Sequence, residues 1–488
     1  MTNTPTPVIP GMHPDPSVCR AGEDYYLVCS SFEYFPGIPV FHSRDLVNWT
    51  QIGNALDRTS QLLLTAETPS SAGIYAPTLR HHDGRFWLIV TSVSHGGGNV
   101  VFTATDPAGP WSDPILLSEV GGIDPDLAWD GEGNCWCTVA GVSQYRIDPS
   151  TGETFGLPQR LWSGTPGVKA PEAPHLYRIG DHWYLMIAEG GTERGHGVSI
   201  ARGLAPDGPF EPCPANPILS HRSTDDPVQN TGHADLVQRP DGSWWMVLLG
   251  VRPGGGTPGW HLLGRETFLA PVSWADGWPV VGELVSGPAA GEAERDDFAH
   301  TGLRPCWISP RDRPERHCTT GDRPGWLTLN ARGSGLDDPD VLFVGRRQQH
   351  LSCRARTVID TADGSGGLAV RFDEDHHYEI EVASGEVRVL ARIGPLRTVV
   401  ASRPATGGPL VLGVQVDEAV EPRDPRSGPD TISFGVEESD GTFTVLASLD
   451  GRYLSTEVAG GFTGRVIGMY AATGTVHFDW FDYEPLDR

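Results

Sequence analysis

Positive charge is scarce in this 488-residue chain: 36 Lys plus Arg stand against 62 Asp plus Glu, a net charge of −26. Such a surface repels phosphate backbones and anionic headgroups, which argues against nucleic acid and membrane partners. Apolar runs of the ~18 residues that cross a bilayer are also missing. The opening MTNTPTPVIP has neither the basic nor the hydrophobic region of a secretion signal, so a cytoplasmic protein is expected. Cysteine is sparse, with eight residues (19, 29, 135, 137, 213, 306, 318 and 353) and no CxxC pair. Reduced, mostly buried thiols are expected rather than disulfides or zinc ligands. The first half lacks sustained helical periodicity, which argues against an α/β barrel.

What is present is turn and strand chemistry. The 61 glycines, 42 prolines and 15 tryptophans suit short strands joined by many turns. The length calls for at least two domains. Five segments of the first half align, opening at Asp15, Ala76, Asp124, Glu172 and His233. Each carries an apolar residue at one offset (Val18, Leu79, Leu127, Leu176, Leu236), then an Asp/Gly turn, then an aromatic-led strand such as YYLV, FWLIV or WWMVL. Glu172 sits one position off strict register, where Ala173 aligns. A hairpin repeated five times cannot cover its own apolar face, so a five-bladed β-propeller is expected.

Equivalent positions of successive blades lie at equivalent radii, so the opening residues should gather at one mouth of the channel. Asp15, held between Pro14 and Pro16, should have little backbone freedom and a bias toward extended geometry. Convergence of Asp15, Asp124 and Glu172 would raise carboxyl pKa values through like-charge repulsion and marks a candidate site. Glycoside hydrolysis uses such groups: one carboxylic acid protonates the leaving oxygen, and one carboxylate acts on the anomeric carbon or on a water. Asp126 shares a strand face with Asp124, so an inward side chain would raise the acid's pKa further. Asp24, Asp45 and Asp83 read as solvated turn caps.

The blocks HPDPS (13–17), SSFEYFPGIPVFHSRDLVNW (30–49), IYAPTL (74–79), IDPDL (123–127), APEAPHLY (170–177), AEGGTERGHGVSIARG (188–203), NTGHADLVQRPDGSWWMVLLG (230–250) and LGRETF (263–268) resemble glycoside hydrolase family 43, nearest its β-xylosidases. The resemblance implies a five-bladed propeller and an inverting reaction. It implies Asp15 as the general base, Glu172 as the general acid and Asp124 as the aspartate that orients the acid. Arg265 matches an arginine that binds sugar hydroxyls, and Phe32 and Tyr75 match positions with aromatic faces toward the sugar. His233 matches a histidine that in some relatives helps hold calcium through water. A Ca2+ at the propeller centre therefore stays open as an alternative to a neutral core histidine, while no redox or nucleotide cofactor is implied.

Small polar residues at 286–295 end the repeat, giving an expected propeller over 1–290 and an expected β-sandwich over 291–488. The second half reads as many short strands, among them HLSCRARTVI and GGLAVRF. It resembles the carboxy-terminal domain of the same xylosidases, whose phenylalanine-bearing loop closes the pocket, and Phe462 is the candidate. The reading is an inverting, exo-acting β-xylosidase that cuts short β-1,4-xylooligosaccharides. An α-L-arabinofuranosidase, a dual enzyme, a retaining mechanism and a catalytically silent sugar-binding propeller remain alternatives, and a homo-oligomer is compatible.

Overall fold

The computed structural model describes residues 4–61, 64–94, 97–289, 293–405, 407–419 and 424–486. Five four-stranded antiparallel sheets follow one another along the chain. Their first strands are Ser17–Ala21, Gly73–His82, Asp126–Trp129, Glu172–Ile179 and Gln229–Gln238, and these touch in sequence order with the last returning to the first. The five sheets are the blades of a propeller.

The recurring apolar residue explains why the ring closes. Val18 packs in the cluster between blades 5 and 1, and Leu79 between blades 1 and 2. Leu127, Leu176 and Leu236 fill the next three junctions in turn. Each therefore faces the preceding blade. Burial of such a side chain contributes about 1.5–3 kcal/mol, so one repeated position supplies cohesion at every junction. Cys135 and Cys137 are buried in the junction between blades 2 and 3 as small apolar groups. All eight cysteines are free thiols, and only Cys306 is partly exposed.

Beyond the propeller a β-sandwich is built differently from the run of short strands expected. Cys353–Arg371 and Val466–Pro485 are single strands of 19 and 20 residues. The first half of Cys353–Arg371 pairs with Leu410–Glu418, and its second half with His376–Ala383. The two long strands pair with each other along most of their length and bend together from one layer into the other. The segment TADGSG, which reads as a turn, is that bend: register shifts occur between Asp360 and Asp363 and between Ser365 and Gly366. Bulges of this kind turn a strand without ending it.

The last propeller strand ends at Val281 and the first sandwich strand begins at Glu294, while the expected boundary at 290/291 lies outside the described residues. Met12 and Tyr34 of the propeller share an apolar cluster with Phe343 and Tyr470 of the sandwich. Arg371 donates to the Tyr34 hydroxyl at 2.9 Å. The segment between the one-turn helix Thr456–Ala459 and Val466 crosses over the propeller mouth. Glu457 anchors it, accepting from the His261 amide at 2.9 Å and pairing with His261 Nδ1 at 2.6 Å.

Candidate active site

The residues that open the five repeats all line one cavity of about 300 Å³ at the channel mouth. A shared backbone device aims them. A proline follows the register position in four blades (Pro16, Pro77, Pro125, Pro174), and lacking an N–H it cannot donate to the ladder. Pairing in blades 1 and 3 starts only after it, at Ser17 and Asp126. In blades 2, 4 and 5 the ladder shifts register at the same place. Asp15, Asp124, Ala173 and His233 take φ of 55°, 53°, 48° and 44°. Asp15 is thus left-handed rather than extended, an excursion that aspartate tolerates better than most residues. The shared φ confirms Ala173 as the register match and leaves Glu172 one step nearer the mouth.

Electrostatics separates the three carboxyls. Burial alone would raise the pKa of Asp15, but Arg265 and His233 outweigh it and hold the group below the usual carboxylate range. Arg265 Nη1 donates to Asp15 Oδ1 at 2.7 Å, Ser30 Oγ donates to Oδ2 at 2.6 Å, and His233 Nδ1 lies 3.4 Å from Oδ1. Glu172 is pushed up to about 7, first by burial and then by the charge on Asp15. Burial and the neighbouring Glu172 and Asp15 push Asp124 well up too. Its Oδ2 accepts the Ala173 amide at 3.3 Å, which ties it to the residue after Glu172. The site therefore holds an ionised Asp15 beside a protonated Glu172.

Two residues below each opener lies a second polar ring: Ser17, Thr78, Asp126, His175 and Asp235, all buried. Arg80 rises into it from blade 2. Its guanidinium lies 2.7 Å from Asp126, 2.8 Å from Asp235 and 2.9 Å from His175 Nδ1. Asp126 does point inward, but Arg80 neutralises it, and it is not among the groups that raise Glu172. Ca2+ prefers six to eight oxygen ligands. Here the channel carboxylates are already engaged by Arg80, Asp15 is engaged by Arg265, and His233 offers a ring nitrogen. No cluster of three or more His, Cys, Asp or Glu suited to a metal occurs among the described residues. These donors do not fit a protein-held Ca2+ at His233.

Phe32, Tyr75 and Phe462 form a triangle with ring centroids 5.8–6.0 Å apart. The Arg265 guanidinium lies 5.6 Å from the Phe32 ring and 5.5 Å from that of Phe462. Three rings and one cation thus wall the carboxyls, presenting the apolar faces that a pyranose or furanose ring packs against. Phe462 comes from the sandwich, its amide donating to Ser71 Oγ at 2.9 Å. All eight residues expected at the site meet here. The sequence reading missed Lys169, Thr192 and Glu193, which lie outside the aligned segments, and Ser30, Arg80, His175, Tyr177 and Asp235, which lie within them. A signal for His175 and Asp235 existed, since the +2 position is polar in all five aligned repeats where packing alone would favour apolar residues, whereas at +4 only Arg80 and Tyr177 break an otherwise apolar position.

Comparison with known proteins covers both domains. The model for "Glycosyl hydrolases family 43" matches residues 4–279, and that for "Beta xylosidase C-terminal Concanavalin A-like domain" matches 295–484. The chain is 39% identical to the non-reducing end alpha-L-arabinofuranosidase BoGH43B of Bacteroides ovatus, covering 99% of this chain and 94% of that one. It is 36% identical to a xylosidase/arabinosidase of Butyrivibrio fibrisolvens, over 98% and 97% of the two chains. Among solved structures, the Bacteroides ovatus xyloglucan PUL GH43B superposes with a TM-score of 0.90 at 37% identity, covering 99% and 100%. A xylan beta-1,4-xylosidase from Bacillus halodurans C-125 does so with 0.88 at 29%, also over 99% and 100%.

Proposed function

Because the chain belongs to glycosyl hydrolase family 43, we propose that it is an inverting, exo-acting β-1,4-xylosidase that releases xylose from the non-reducing ends of short xylooligosaccharides. Asp15, ionised, takes a proton from water as that water attacks the anomeric carbon. Glu172, protonated, gives its proton to the departing glycosidic oxygen. Asp124 holds the backbone beside Glu172, its Oδ2 accepting the Ala173 amide. Arg265 donates to hydroxyls of the sugar in the pocket, and Phe32 and Tyr75 pack on its ring. Phe462 caps the cavity, which favours a chain end over a chain interior. No step needs a metal.

The observation that carries this reading is the opposite displacement of two carboxyls in one cavity, Asp15 downward and Glu172 upward. Acid and base are assigned by such a split. Inversion requires ~6.5–9.5 Å between the working carboxyls to admit water, against ~5–5.5 Å for retention. Proton NMR of the first-formed sugar decides between them: the α anomer of xylose is expected, and the β anomer overturns inversion.

An α-L-arabinofuranosidase or dual enzyme is the second reading, favoured by the names of the Bacteroides ovatus and Butyrivibrio fibrisolvens relatives. Parallel kcat/KM values on 4-nitrophenyl β-D-xylopyranoside and α-L-arabinofuranoside separate the two. A dominant xyloside preference is expected, and a dominant arabinoside preference rejects the xylosidase.

A further inference from the structure

Lys169 is the only lysine in the chain. It stands on the rim of the sugar pocket, three residues before Glu172, and its ammonium pairs with the Glu193 carboxylate. The pair lies across Gly191, whose φ is +77°. A Cβ there would come within 2.7 Å of Glu193 Oε2 and 3.1 Å of Lys169 Cε. Backbone hydrogen bonds fix both partners: the Gly190 amide donates to Lys169 O at 2.8 Å, and the His196 amide donates to Glu193 O at 2.9 Å. The side chains themselves are 67% and 60% exposed. An ion pair this exposed adds little to folding, so stability does not account for a floor shaped to carry it.

Position does. Asp15, His233 and Arg265 lie buried inside the cavity, whereas Glu172, Lys169 and Glu193 stand toward its mouth. Glu193 also lines a neighbouring chamber of about 910 Å³. A group bonded to the oxygen that Glu172 protonates therefore meets this pair as it leaves the small cavity. An ammonium offers three donors and a carboxylate several acceptor sites, a set that matches the vicinal hydroxyls of a sugar. Paired, they carry no net charge, which suits a neutral sugar over a uronic acid.

We propose that Lys169 and Glu193 form the subsite for the leaving sugar and set the preference of the enzyme for neutral oligosaccharides over glycosides whose leaving group lacks hydroxyls. This rests on the hydrolase reading above and extends it to the leaving side. The pair also brackets the acid electrostatically, Glu193 raising the Glu172 pKa and Lys169 lowering it. Losing one partner should displace the acid in a direction set by which partner is lost.

The test compares kcat/KM on xylobiose with that on 2,4-dinitrophenyl β-xyloside for wild type, Lys169→Met and Glu193→Gln. Charge-assisted hydrogen bonds to hydroxyls are at stake, so the disaccharide-to-aryl ratio is expected to fall about tenfold or more in either variant. The alkaline limb on xylobiose should move up in Lys169→Met and down in Glu193→Gln. An unchanged ratio overturns the proposal, whether both substrates are lost equally or neither is. Acetylation of the single lysine with acetic anhydride gives a readout without a variant. It should lower the same ratio, and thio-linked xylobiose should protect Lys169 better than xylose does; equal protection overturns the subsite. If wild type cleaves neither substrate, the xylosidase reading itself fails, which the variant ratios cannot mimic.

Discussion

Asp15 and Glu172 reach one cavity from blades 1 and 4, and their division of labour comes from neighbours rather than from residue type. Arg265 and the Ser30 hydroxyl both donate directly to Asp15, so it ionises first and its charge then opposes ionisation of Glu172. The pH profile of kcat/KM follows with a definite sign. Activity requires Asp15 deprotonated, so it is lost as pH falls through a pKa below the usual carboxylate range. It requires Glu172 protonated, so it is also lost as pH rises through about 7. Arg265→Met removes the main group holding Asp15 down, and the acid limb should move up by about one unit or more while the alkaline limb moves less. A pH titration of kcat/KM checks this, and an acid limb that stays in place would show that Arg265 does not govern Asp15. Glu172→Gln should cost about 10²–10⁴-fold on a xyloside with a poor leaving group and far less on the dinitrophenyl xyloside, which needs no proton. Equal losses on the two substrates would remove Glu172 from the acid role.

At the scale of elements, the legible and illegible parts divide by whether a signal repeats. The five hairpins were legible because one apolar residue recurs at one offset, and each copy seats in a blade junction. The openers were legible for the same reason. The conformation of Asp15 was not, because flanking prolines bias a residue toward extended geometry and only tertiary context imposes φ of 55°. The long strand Cys353–Arg371 was broken in the reading because TADGSG has turn composition, and pairing partners more than 100 residues away keep it in a ladder. Lys169 and Glu193 lie outside any repeat and meet only in three dimensions. The segment that brings Phe462 to the pocket joins both domains through Glu457 and Ser71, yet the ring is 37% exposed. Phe462→Ala should therefore raise KM for xylobiose about three- to tenfold, the value of one aromatic contact, with the thermal midpoint unchanged. A loss of stability without a change in KM would make the ring a packing element instead of a cap.

For the whole molecule, the question is what closes a ring in which the amino-terminal segment gives the last blade just a short antiparallel bridge, Val8 and Ile9 to Thr267. Apolar packing between blades 5 and 1 is one part. The other is Asp235 of blade 5. It accepts from Ser17 Oγ at 2.7 Å and the Val18 amide at 3.0 Å in blade 1, from Arg80 of blade 2, and from the Tyr177 hydroxyl of blade 4 at 2.5 Å. With Asp126 of blade 3 on the other side of Arg80, all five blades meet at one buried cation. Removing one partner of a buried ion cluster leaves uncompensated charge, so Arg80→Met should destabilise the fold by about 3–5 kcal/mol. Pairing with Arg80 holds Asp235 far below the usual carboxylate range despite its burial. A depressed folded-state pKa contributes stability that is present above the unfolded value and lost only as pH falls through the folded one. Wild type should therefore keep this contribution from neutral pH down to about 4. In Arg80→Met Asp235 is buried without its counter-ion, its pKa rises above the unfolded one, and the sign reverses. The variant should gain stability as pH falls from about 7 to about 5, and Arg80→Met combined with Asp235→Asn should recover part of the loss at pH 7. Denaturation midpoints across this range measure both effects. Parallel pH dependence in wild type and variant would mean that packing alone holds the ring and that Arg80 is not its central tie.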